Sequence, residues 1–124
     1  MTDKMTALYN EKLTTALEAV KLIEANDSLV YPITPGEPAA LHEALSSLTT
    51  LENNTLYRML PSTPTLDFPK EQLKQVSIFL SGADRKDFNT HKVDLLPNHF
   101  SDIPSLLLQR DSAPVIMATV SPMD

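Results

Sequence analysis

Five short apolar runs, each closed by a turn signal, recur along this chain between segments of helical period. The runs are SLVYPI (28–33), TLYRML (55–60), QVSIFL (75–80), KVDLLP (92–97) and PVIMATV (114–120). Around them lie TTALEAVKLIEAND (14–27), TPGEPAALHEALSSL (34–48), SGADRKDFN (81–89) and HFSDIPSLLLQR (99–110), while a Pro-rich loop, STPTLDFP (62–69), joins the second run to the third. Read as elements, the order is α-β-α-β-β-α-β-α-β. Such alternation predicts an α/β fold: a largely parallel sheet of about five strands, covered by helices through right-handed crossovers.

Local signals support this division. Thr15 and Glu18 have capping-box spacing ahead of an apolar stripe at Leu17, Val20, Leu22 and Ile23, and Asn26-Asp27 ends that helix. Gly36 supplies the next turn, Glu37-Pro38 suits a first helical turn, and Leu41, Leu45 and Leu48 line one face. Pro104 falls in the first turn of the last helix.

The chain has two glycines against ten prolines, so the positions of the glycines carry information. Gly36 and Gly82 both fall where a strand hands over to a helix, and Ser121-Pro122 holds the equivalent place after the fifth run. Ligands of open α/β sheets bind outside the carboxyl ends of the strands, so these three turns are expected along one edge. Glycines at such turns also simply ease the backbone, and both readings hold together. The continuous apolar run 114–120 predicts an interior strand buried on both faces. No crossover helix follows it, so more polypeptide after Asp124, or a partner, is expected to cover it.

Composition narrows the function. A net charge of −6, with ten Lys and Arg scattered along 124 residues, argues against a nucleic-acid partner. With no Cys, disulfides, thiolate nucleophiles and Cys-based metal sites are excluded. The N-terminus is too polar for a signal peptide and no apolar run is long enough to span a bilayer; a soluble, cytoplasmic protein without membrane partners is expected. P-loop, dinucleotide and nucleophile-elbow fingerprints are absent. His42, His91 and His99 lack ligand spacing and are expected to be surface or half-buried residues. Ser81, Ser101 and Ser121 have no evident base. A helix start at Gly36–Pro38 points free N–H groups at the strand end, which suits an anion; Glu37 in the same place equally suits a cap on the helix dipole. Arg85 suits either an anion contact or a solvated face.

Together these stretches resemble a known family. LTTALEAVKLIEANDSLVYPITPGEPAALHEAL is similar to the start of the acetyl-CoA hydrolase/4-hydroxybutyrate CoA-transferase family, with its E-A-V element, G-D turn, strand and G-E-P helix start. DLLPNHFSDIPSLLLQRDSAPVIMATVSPMD resembles that family's strand ending in Pro, S-x-x-P loop, short helix, strand and S-P-x-D. The order and spacing agree along almost the whole chain. Asn26 stands where the family has Gly before Asp, but Asn tolerates the left-handed conformation. The glycine-containing segment that follows S-P-x-D is missing.

The resemblance implies that residues 1–124 are part of an N-terminal CoA-transferase lobe, less than a third of a two-lobed enzyme whose catalytic glutamate lies beyond residue 124. Glu37, Glu43 and Glu52 do not inherit that role, and the segment alone is expected to be inactive. The full enzyme, a likeness to the family implies, moves CoA from an acyl-CoA to a small carboxylate through a glutamyl-CoA thioester, with coenzyme A as substrate and no further cofactor, and as a homo-oligomer. The residues expected to line its acid pocket are Ile33, Thr34, Pro35, Gly36, Met59 and Leu60, with Ser121, Pro122 and Asp124 near it. A non-catalytic acyl-CoA or carboxylate binding module, or an assembly module, is the alternative.

Overall fold

A computed structural model describes residues 3–109 and 113–121. Its five strands are β1 (Ser28–Val30), β2 (Asn54–Met59), β3 (Leu73–Phe79), β4 (Asp94–Leu95) and β5 (Val115–Ile116); its helices are α1 (Asp3–Lys12), α2 (Ala16–Val20), α3 (Ala39–Ser46), α4 (Arg85–Asn89) and α5 (Ile103–Leu108). From α2 onward the element order matches the sequence reading, and the α/β class holds. All pairings are parallel, in the order β4-β3-β2-β1-β5. The chain steps outward from β1 to β4, then returns to the opposite side of β1. The gap between β1 and β5 is therefore the point where the strand order reverses.

Period-two alternation sends each strand's side chains to two layers. One face buries Leu29, Tyr31, Leu56 and Leu73 against Val20, Leu45 and the loop residue Leu66. The other buries Val30, Tyr57 and Ile78 against Ile103 of α5. The first of these layers holds the larger core.

Differences from expectation have local causes. The helix expected over 14–27 is regular only over α2, where Thr15 Oγ1 accepts from the Glu18 N–H at 3.2 Å. Glu18 does not close the box; its carboxylate pairs with Lys21 at 2.6 Å. Leu17 and Leu22 of the expected stripe are exposed. The sequence reading gave α1 no element, and none of its residues is buried.

The largest correction concerns β5, which was expected in the interior and buried on both faces. It lies at the sheet edge with two paired residues, and Ile116 is 62% and Val120 81% exposed. Of this run only Met117 is buried. A continuous apolar run cannot distinguish an interior strand from an edge strand with an uncovered face.

Asn26 has φ 69° and donates its N–H to the Glu52 carbonyl at 2.9 Å; Asn53 (φ 52°) donates its side-chain amide to Asn26 Oδ1 at 2.8 Å. The left-handed turn expected at Asn26 in place of Gly is thus present. The two glycines differ. A Cβ on Gly36 would stand 2.9 Å from Pro32 Cγ and 3.3 Å from the Ile33 carbonyl oxygen, whereas one on Gly82 meets nothing within 4 Å. Gly36→Ala is expected to cost about 1–3 kcal/mol, read as a lowered urea midpoint, and Gly82→Ala to leave that midpoint unchanged.

Candidate functional site

The segments that leave β1, β2, β3 and β5 meet along the carboxyl edge. After β1, Ile33 to Gly36 form a turn closed by the Gly36 N–H on the Ile33 carbonyl (2.9 Å), with a cis Thr34–Pro35 peptide. Thr34 Oγ1 donates to the Leu60 carbonyl at 2.7 Å, and the Leu60 N–H donates to the Phe79 carbonyl at 2.9 Å. Ser81 Oγ donates to the Pro61 carbonyl at 2.6 Å. Across the strand-order reversal, Thr119 donates its N–H to the Gly36 carbonyl (3.0 Å) and its hydroxyl to the Glu37 carbonyl (3.1 Å).

The expected residues Ile33, Thr34, Pro35, Gly36, Met59 and Leu60 are thus brought together, and the segment carrying Ser121 adjoins them. Pro122 and Asp124 lie outside the described residues. Leu60 is 41% exposed and holds φ 46°, a left-handed conformation that a leucine adopts at a cost of roughly 1–2 kcal/mol. Its N–H and C=O bonds hold it there. Beside it, Met59, Phe100, Ile103 and Pro104 line an almost wholly apolar cavity of about 330 Å³, and Phe100 stacks on Phe79 with ring centroids 6.0 Å apart.

Beneath this edge lies a polar network that the sequence reading missed. Arg58 is on the large-core face of β2, and a guanidinium there needs an anion. Glu37 supplies it: Arg58 Nη2 and Nε reach Glu37 Oε1 at 2.7 and 3.2 Å, with both side chains 4% exposed. Glu37 also accepts from the Ser62 N–H and hydroxyl (2.9 and 3.0 Å) and from those of Thr63 (3.1 and 3.0 Å). Glu37 is therefore neither a cap on α3, whose first residue is Ala39, nor part of an anion site. Burial alone would raise its carboxyl; the bonds from Arg58, Ser62 and Thr63 and the Arg58 charge outweigh it and hold the group down to about 2.

His42 corrects a second expectation, since it is buried. Its Nε2 faces the Pro64 carbonyl at 2.9 Å and must donate, which leaves Nδ1 to accept from the Tyr31 hydroxyl at 3.2 Å. A neutral ring satisfies both bonds. Burial, then the Arg58 charge, pushes His42 below its ordinary 6.5, and burial raises the Tyr31 hydroxyl well above 10.0. Gln75 completes the network by exchanging bonds with the Leu66 backbone at 2.9 and 2.8 Å. Four buried polar side chains thus clamp the Pro-rich loop 61–69 over the sheet. The available signal was Arg58 itself, a charge at an inward-facing position of an apolar strand.

The remaining candidates do not gather. His91, His99 and Arg85 are exposed, and among the described residues no group of three or more His, Asp or Glu is placed to hold a metal ion. No helix among them is long and apolar enough to cross a membrane.

No protein-family model matches the chain. It is 32% identical over 122 residues to the succinyl-CoA:cyclohexane-1-carboxylate CoA transferase of Geobacter metallireducens, covering 94% of this chain and 27% of that protein. The 4-hydroxybutyrate coenzyme A transferase of Clostridium kluyveri is 29% identical over 107 residues, 83% of this chain and 25% of that one. The crystal structure of RipA from Yersinia pestis superposes with a TM-score of 0.74 at 28% identity, covering 99% of this chain and 32% of that one. The chain spans about a quarter of the length of the curated relatives it matches. The resemblance read from the sequence is thus borne out: this chain is a relative of the CoA transferases, matching one stretch of them along nearly its whole length.

Proposed function

We propose that this chain forms one wall of the substrate cleft of an acyl-CoA:carboxylate CoA transferase and is inactive by itself. The carboxylate nucleophile comes from a second lobe. There, glutamate attacks the thioester carbonyl and expels CoA thiolate, leaving an acyl-glutamyl anhydride. The thiolate then attacks the glutamyl carbonyl, releasing the first acid and forming the glutamyl-CoA thioester; an incoming carboxylate takes over the CoA by the same two steps in reverse.

The observation that carries this reading is the set of apolar residues Ile33, Met59 and Leu60 on a carboxyl edge whose buried carboxylates among the described residues, Glu37 and Asp84, are both engaged in hydrogen bonds. Such an edge has a place for an acyl group and no free glutamate. The strained Leu60 points the same way, since a left-handed leucine persists where its side chain serves a purpose.

The test separates stability from binding. In a hybrid enzyme that carries this chain in place of the matching stretch of the Geobacter relative, Leu60→Gly relieves the backbone. It is expected to leave the unfolding midpoint unchanged or higher, yet raise KM for the carboxylate roughly tenfold, as losing one apolar contact does. An unchanged KM would remove Leu60 from the pocket.

A further inference from the structure

We infer that Thr34 is a positioning residue for the acid: its hydroxyl holds Leu60 in the left-handed conformation that sets this side chain at the cleft. The inference rests on the functional reading above and names what fixes the geometry of that site.

Leu60 departs from its local preferences on two counts. It is a leucine at φ 46°, and Pro61 follows it. The residue before a proline is driven toward extended backbone, with φ of about −120°, so neither residue accounts for the observed angle. Nor does burial, since Leu60 is 41% exposed. A residue in so sparse a backbone region persists only where its surroundings over-determine it.

Three contacts from neighbouring segments do this. On one side, the Leu60 N–H donates to the Phe79 carbonyl at 2.9 Å. That carbonyl also accepts from the Ser77 hydroxyl at 2.9 Å, and Ser77 is buried. The pairing of β2 with β3 shifts register here: Arg58 faces Ser77, Met59 faces Phe79, and Ile78 is left over. A bulge of this kind re-aims the residues beside it. On the other side, Thr34 Oγ1 donates to the Leu60 carbonyl at 2.7 Å from the turn after β1. One residue later, Ser81 Oγ accepts from the Ala83 N–H at 3.0 Å and donates to the Pro61 carbonyl at 2.6 Å.

These contacts are not equivalent. The bond to Phe79 joins two backbones, and the Ser81 bond acts on Pro61. Thr34 is the side chain that grips the Leu60 peptide itself, and it ties the turn after β1 to the end of β2. Its bond lies at the exposed edge. Water can replace a lost donor there, but a mobile water does not fix the direction of the carbonyl. Loss of the hydroxyl therefore acts on the aim of Leu60 more than on stability.

Two readouts test this. In the 124-residue chain, Thr34→Val removes the hydroxyl and keeps the branching. Amide exchange at Leu60 is expected to quicken by about threefold or more, as local opening becomes easier, while exchange at Leu56 stays the same; Thr34→Ser is expected to keep the native rate. In the hybrid enzyme, Thr34→Val is expected to raise KM for the carboxylate roughly three- to tenfold, as the loss of one hydrogen bond does, and Thr34→Ser to leave it near the native value. Added to Leu60→Gly, Thr34→Val is expected to raise KM no further, because no side chain is left to aim. An unchanged exchange rate at Leu60 overturns the inference. So does a KM effect that persists in full beside Leu60→Gly, which would make Thr34 a direct contact. Faster exchange with an unchanged KM overturns it too where Leu60→Gly raises KM. Where Leu60→Gly also leaves KM unchanged, the functional reading of Leu60 fails with it and only the brace stands.

Discussion

Glu37→Ala is expected to destabilise the chain by about 3–5 kcal/mol, the largest loss from any single surface-to-core truncation near the carboxyl edge. Removing the carboxylate strands the Arg58 guanidinium at 4% exposure, and an uncompensated buried charge costs that much. It also frees the two N–H groups and two hydroxyls of Ser62 and Thr63 that Glu37 gathers. The loss appears as a lower urea midpoint with an unchanged slope. Replacing both partners with apolar residues, Glu37→Leu with Arg58→Met, is expected to recover most of it, because no charge is then left buried. A Glu37→Ala midpoint equal to that of the native chain would show that the pair does not hold the loop.

The same carboxylate sets the acid limit. Its folded value is depressed to about 2 from an ordinary 4.5, so its contribution is complete above 4.5 and is lost as pH falls toward 2. His42 acts in a higher window. Its folded value lies below 6.5, so the unfolded chain binds the proton first and stability begins to fall as pH drops below 6.5. Native stability is therefore expected to decline in two stages on acidification, with the second stage absent from the Glu37→Leu/Arg58→Met variant.

The fold was legible because its signals are local. Helix caps, prolines and apolar runs mark each element from α2 to β5, and alternation then leaves a parallel sheet as the economical arrangement. The left-handed turn at Asn26 came from the resemblance, in which Asn takes the place of a Gly. The edge residues Ile33–Gly36 and Met59–Leu60 followed from the rule that parallel strands present their carboxyl ends together. The polar network was not legible, since Glu37 and Arg58 lie 21 residues apart and His42 and its partner Pro64 lie 22 apart, and no local pattern joins them. Glu37 beside a helix start suggested a dipole cap, a short-range role that a long-range ion pair displaced. The edge position of β5 was hidden as well, because an apolar run records that a strand is covered and not which molecule covers it.

CoA transfer is where the expected effect is largest. A carboxylate nucleophile cannot be replaced by binding alone, and removing the nucleophile from an enzyme of covalent mechanism costs on the order of 10⁴-fold or more. On this account the 124-residue chain holds a cleft wall and no nucleophile, so the hybrid and the isolated chain differ by at least that factor. On the proposed reading, exchange in the hybrid depends on the chain's carboxyl edge, which would supply apolar contacts to the acid.

The decisive measurement is therefore exchange of isotopically labelled acetate into butyryl-CoA, run in parallel with the pure chain and with the hybrid enzyme. The account predicts acetyl-CoA formation by the hybrid and none by the chain alone. Acetyl-CoA formed by the isolated chain would contradict it, because a glutamate within residues 1–124 would then be the nucleophile; so would a folded hybrid that forms none.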